Sequence, residues 1–170
     1  MKENELSSTD LEISDAHYGG DQMPWAEYVI AGNIVFLSGA EGRDPTRKQE
    51  YPDGEPMSSP VHEGIEAQTR ACLTKIMERV QKAGAKLENI AVLNYYLQHA
   101  ADWEPAWRTV RDFWAEHCPH INHHPRAGTL LRGVNLDRPD MRIEIEAIAY
   151  LPTRSVDSRA VPGSETADRP

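Results

Sequence analysis

Residues 142–151 read RIEIEAIAYL, a strict alternation of charged and apolar side chains that points to a β-strand. In a strand successive side chains point to opposite faces, so Glu144 and Glu146 share one face with Arg142 while Ile143, Ile145 and Ala147 share the other. The apolar face packs on a core. The charged face cannot, because charged residues are almost never fully buried without partners. It must meet water, an opposing cation or another subunit, and each option makes it a candidate site. One arginine, Arg126, stands just before the preceding strand in the run HHPRAGT.

The rest of the chain supplies elements for that strand to pack with. Residues 28–38 hold two apolar runs around Gly32-Asn33, the pattern of a hairpin. Residues 43–60 are rich in Gly, Pro and charge and read as a loop. Within residues 61–83 the apolar positions Ile65, Cys72, Leu73, Ile76, Val80 and Ala83 recur at helical spacing, and Gly84 supplies a C-terminal cap. Residues 90–97, IAVLNYYL, are rich in β-branched and aromatic side chains and read as a strand. Trp103, Trp107, Val110 and Trp114, with Phe113, give a second amphipathic helix whose tryptophans the spacing assigns mostly to the core. After the loop HCPHINHHP come strands over 129–134 and 142–151. The order is β-β-α-β-α-β-β, an α+β layout with both helices on one face of a sheet. The other face carries Glu144, Glu146, Ile148 and Tyr150, too mixed for an ordinary solvent face. A closed homo-oligomer would cover it and place the sites between subunits.

Composition narrows the function. A chain of 170 residues with 39% hydrophobic content fits one packed domain with tails. Residues 1–20 and 153–170 are polar and charged without periodicity and read as disordered tails, leaving a domain over 21–152. A net charge of -9 with no basic stripe argues against nucleic-acid binding, which draws its affinity from Lys and Arg clusters. No secretory leader and no run of membrane-spanning length is visible, so a soluble, cytoplasmic protein is expected. Cys72 and Cys118 form no CxxC pair and are expected as free thiols.

The runs AGNIVFLSG, GIEAQTRACLTKIMERVQKAGAKLENI, PRAGT and IEIEAIAY, in this order, resemble the RidA/YjgF family of reactive-intermediate imine and enamine deaminases, over residues 24–150. The resemblance implies a chorismate-mutase-like α+β fold with two helices on one face of a mixed sheet. It also implies a cofactor-free homotrimer with clefts at the subunit interfaces, and hydrolysis of 2-imino or 2-enamino acids to 2-keto acids and ammonia. By position Arg126 matches the family's carboxylate-binding arginine, Glu144 the glutamate that orients or activates water, and Gly39 a pocket-lining glycine. Three positions depart from the pattern. Trp25 stands where the family usually has a tyrosine after a proline, Trp107 falls at an asparagine of the second helix, and Gly128 replaces a cysteine whose backbone carbonyl matters more than its thiol. With Trp25 and Trp107 replacing smaller or more polar residues, the pocket is expected to prefer bulky or aromatic substrates.

The chemistry is reasonable on its own terms. Arg126 can grip a carboxylate through two parallel charge-assisted hydrogen bonds, and Glu144 can hold or deprotonate a water near the imine carbon. Neither step calls for a metal or a cofactor. Glu146 is assigned a structural role. His117, Cys118, His120, His123 and His124 are ligand types that zinc prefers, but their spacing matches no zinc motif, and no metal is expected. His123 or His124 could instead assist proton transfer if the loop borders the cleft. The alternatives are a dedicated catabolic deaminase of the 2-aminomuconate type and a non-enzymatic ligand-binding trimer.

Overall fold

The computed structural model describes residues 11–18, 21–44, 60–121 and 126–152. The described residues contain eight strands and two α-helices, in the order β1 (Leu11–Ile13), β2 (His17–Tyr18), β3 (Asp21–Gln22), β4 (Tyr28–Ala31), β5 (Ile34–Glu41), α1 (Ile65–Lys82), β6 (Ile90–Leu97), α2 (Trp103–His117), β7 (Leu130–Arg132) and β8 (Ile143–Tyr150). Six of the strands form one sheet in the order β1-β4-β5-β8-β6-β7, and β2 and β3 form a separate ribbon. Every pairing in the large sheet is antiparallel except β6 with β7, so the sheet is mixed.

Local chemistry sets these elements. Gly32 takes a φ of 63° in the first position of the two-residue β4–β5 turn, a conformation that costs glycine little. At the end of α1, Gly84 has a φ of 82°, its N–H bonds the Gln81 carbonyl at 3.0 Å and the Ala85 N–H bonds Val80 at 3.0 Å. This is the paired closure that a glycine cap permits. Ile65, Cys72, Leu73, Ile76 and Val80 of α1 and Val110, Phe113 and Trp114 of α2 bury against Val35, Leu93, Leu97, Ile143 and Ile145 of the sheet. Both cysteines are buried free thiols.

One expectation is corrected at the N-terminus. Residues 11–18, read from sequence as part of a tail, contain β1 and β2. Ser14 anchors β1 beside β4: its hydroxyl donates to the Tyr28 carbonyl at 3.0 Å and accepts from the Tyr28 N–H at 2.8 Å. A strand of three residues is too short for its alternation to register in sequence. The expected tail over 153–170, most of the 43–60 loop, and His123 and His124 lie outside the described residues.

The sheet face away from the helices is open. Register aligns Ile13, Val29, Phe36, Ile148 and Val92 across five strands, and Leu11, Ala31, Ile34 and Tyr150 form the next row. Phe36 is 45% exposed and Ile13 62%, so the face presents a contiguous apolar area rather than scattered residues. Toward the far end of the same face, β5, β8, β6 and β7 align Glu41, Glu144, Tyr96 and Leu131.

Candidate active site

Glu144 lies in a niche made by a kink in the neighbouring strand. The β5–β8 register shifts between Leu37 and Ala40, and a Cβ placed on Gly39 would fall 1.8 Å from Glu144 Oε1. Glycine at position 39 therefore gives the carboxylate its room. Arg79 of α1 holds the kink from beneath, donating to the carbonyls of Ser38 at 2.8 Å and Gly39 at 3.2 Å. The Ser38 hydroxyl donates to Ala26 at 2.6 Å, which pins the segment bearing the exposed Trp25 beside the same kink. Partial burial raises the pKa of Glu144 above the ordinary glutamate value of 4.5, and the carboxylates of Glu41, Glu146 and Asp137 raise it further. A carboxyl tuned upward in this way is a stronger base once ionised.

Glu146 has a different environment. Its Oε1 accepts from Asn94 Nδ2 at 2.7 Å, and Asn94 Oδ1 accepts from the Thr129 N–H at 2.8 Å. Asn94 thus ties β8 to the start of β7. Glu41 is engaged too, its carboxylate accepting from Arg43 Nε, while Arg43 also approaches Asp137 at 3.5 Å.

Arg126 belongs to the other side of the sheet. Leu130 packs against the core beneath the helices, and the Arg126 guanidinium lies over the Trp114 ring of α2, 3.7 Å from its centroid. Burial lowers the pKa of this guanidinium, with Cys118 and Tyr95 acting in the opposite direction, yet an arginine remains charged throughout the physiological range. It stands in a cleft of 740 Å³ between α2 and the β6–β7 edge, lined by Tyr95, Trp103, Trp107, Trp114, Gly128 and Leu130 among others. Trp103 and Trp107 stack at 5.4 Å with 26° between their planes, and Tyr95 meets Trp103 edge-on at 5.6 Å. Gly128, two residues before β7, runs tight against β6: a Cβ there would lie 2.0 Å from the Leu93 carbonyl oxygen.

The structure sorts the sequence-derived residues into two groups. Glu144 and Gly39 are together on the open face, with the Trp25 segment pinned nearby. Arg126, Trp107 and Gly128 are together in the cleft. Within one chain Arg126 and Glu144 face opposite sides of the sheet, and the charges acting on Glu144 are all carboxylates. Trp107 is 39% exposed, which corrects its assignment to the core. The spacing of Trp103, Trp107 and Trp114 did place them on one stripe; part of that stripe lines an open cleft instead of the interior. Asn94, Arg79 and Glu41 went unnoticed in sequence because their roles depend on long-range pairing. Of the His-rich segment, His117 belongs to the last turn of α2, where its ring packs against Phe113 at 4.3 Å, and His120 Nε2 lies 3.2 Å from Glu88 Oε2. Among the described residues no group of three or more His, Cys, Asp and Glu side chains could hold a metal ion, and no helix is long and apolar enough to cross a membrane.

A mixed sheet with two helices on one face, in this strand order, defines an α+β fold of the YjgF/RidA type. The chain belongs to the endoribonuclease L-PSP family, the RidA/YjgF family, whose model matches residues 20–151. It is similar to the YjgF gene product of E. coli at 26% identity and a TM-score of 0.61, over 81% of this chain and 92% of that one. It is similar to E. coli TdcF with bound serine at 20% identity and a TM-score of 0.65, over 83% and 99% of the two chains. RidA from the Antarctic bacterium Psychrobacter matches at 21% identity and a TM-score of 0.59, over 81% and 94%. The last two, at such identities, speak to the fold alone.

Proposed function

We propose that this protein is a cofactor-independent deaminase that hydrolyses 2-imino or 2-enamino acids to 2-keto acids and ammonia. Its sites would lie between the copies of a homotrimer, each taking Arg126 from one copy and Glu144 from its neighbour. The observation that carries the reading is Arg126, whose guanidinium lies over the Trp114 ring in an aromatic-lined cleft. A guanidinium packed over an aromatic ring has less rotamer freedom left to lose when it pairs with a carboxylate.

With the carboxylate on Arg126, the electrophilic C=N carbon lies next to the anchored group. Ionised Glu144 takes a proton from water, and the hydroxide oxygen bonds to that carbon as the C=N π pair moves to nitrogen. Glu144 returns that proton to nitrogen to give the carbinolamine, then relays the hydroxyl proton to the amino nitrogen, so that the C–N bond breaks as the C=O forms and ammonia leaves. Holding water and imine in one cleft supplies acceleration through proximity, and the raised pKa of Glu144 strengthens it as a base. The name of the family model also suggests RNA cleavage, which the net charge of -9 disfavours because RNA binding needs cations along a phosphate track.

Ammonia release from imino acids generated in situ by an amino-acid oxidase tests the proposal. Release faster than the spontaneous rate, abolished by Glu144→Gln, is the expected result. No acceleration with any small, branched or aromatic imino acid would overturn it.

A further inference from the structure

We infer that the α2 cleft is a side-chain specificity pocket for aryl groups, so that the preferred substrates are aromatic 2-imino acids carried by the carboxylate on Arg126. This rests on the deaminase reading for the chemistry, but the pocket itself is argued from geometry within a single chain. The cleft offers aromatic surface at several orientations: the parallel Trp103–Trp107 pair, Tyr95 edge-on to it, and Trp114 beneath the guanidinium. A planar ring gains from both stacked and edge-to-face contacts with such walls, whereas a methyl group covers little of them.

Size agrees with this. A volume of 740 Å³ lies in the range of small-molecule sites and far exceeds what an alanine-derived imine fills. Charge agrees as well. Arg126 and Arg111 both reach the lining, with Asp112 as the one acidic side chain among the lining residues, a balance that suits a carboxylate. Trp107 decides the matter, because an indole 39% exposed on a helix, stacked on a second indole and opening onto a guanidinium, is not needed to close the core. The core side of α2 is already filled by Ala106, Val110 and Phe113.

The inference is tested by binding instead of turnover, with unreactive acids and the full-length protein. Titration calorimetry with phenylpropionate and with propionate is expected to show at least about tenfold tighter binding of the aryl acid, the scale on which apolar pockets discriminate. Trp107→Ala and Trp107→Leu should each remove most of that preference while leaving propionate binding in place. Arg126→Lys should weaken both acids, and the amide of phenylpropionate should bind poorly. Equal affinity for the two acids, an aryl preference that survives both Trp107 substitutions, or no binding of either acid would each overturn the inference. Selective aryl binding without ammonia release would uphold the pocket and refute the deaminase reading, so the two failures are distinguishable.

Discussion

Gly39 and Gly128 are both tight positions, and the atoms they would meet make them fail differently. A Cβ at position 39 meets the end of a flexible side chain, Glu144, which can swing away. At position 128 it meets the Leu93 backbone carbonyl, which is fixed in the sheet. Gly39→Ala is therefore expected to leave the melting temperature nearly unchanged while activity falls steeply, because the carboxylate is displaced. Gly128→Ala should cost about 1–3 kcal/mol of stability through overpacking, read by denaturant unfolding. The same melting loss in both variants would show that the niche at Gly39 is structural. Glu41 gives a second residue-scale prediction. A base must be ionised to act, so the acid limb of the pH–rate profile follows the raised pKa of Glu144. Glu41→Gln removes a neighbouring negative charge, which favours the ionised form and lowers that pKa. The limb should move to lower pH, and an unmoved or upward-shifted limb would exclude Glu144 as the titrating base.

At the scale of elements, β7 depends on a side chain from its neighbour. Asn94 of β6 holds the Thr129 N–H and the Glu146 carboxylate, and Gly128 and Arg126 of the cleft lie just upstream of that anchored amide. Asn94→Ala should cost about 1–2 kcal/mol and speed hydrogen exchange at the Thr129 amide. Glu146→Gln, which keeps an acceptor for Asn94, should change stability or assembly more than turnover. Unaltered protection at Thr129 in Asn94→Ala would dismiss the tether. These ties also explain what the sequence revealed. The β4–β5 hairpin, α1 with its Gly84 cap, β6, α2 and β8 were legible because each rests on local periodicity or a turn residue. The three-residue β1, the kink at Gly39 and the Asn94 bridge arise from pairing across distant segments, and no local pattern encodes them. For the site, Arg126, Glu144, Gly39, Trp107 and Gly128 could be nominated from the motifs. That they divide between two sheet faces follows only from strand register.

The division matters most at the scale of the whole molecule. An open sheet face bearing Ile13, Ile34, Phe36 and Tyr150, with Glu144 at its far end, is the surface a second copy would cover, and covering it would bring a neighbour's edge toward the carboxylate niche. Phe36→Glu places an unpaired charge in that face and is expected to yield smaller species by light scattering, with activity lost in step. Full activity in a monomer would contradict a shared site. The most direct test of the shared site combines two inactive proteins. Arg126→Lys keeps the charge but loses the fork, and Glu144→Gln removes the base, so on the proposed trimeric site each variant alone should be folded and nearly inactive. After subunit exchange, a site that takes Arg126 from one copy and Glu144 from the next is intact wherever the right pair meets. Random mixing should then restore about a quarter of wild-type turnover, as expected for closed cyclic symmetry. No recovery in trimers shown by native mass spectrometry to be mixed would place both residues in one chain's site or in none, and contradict the account.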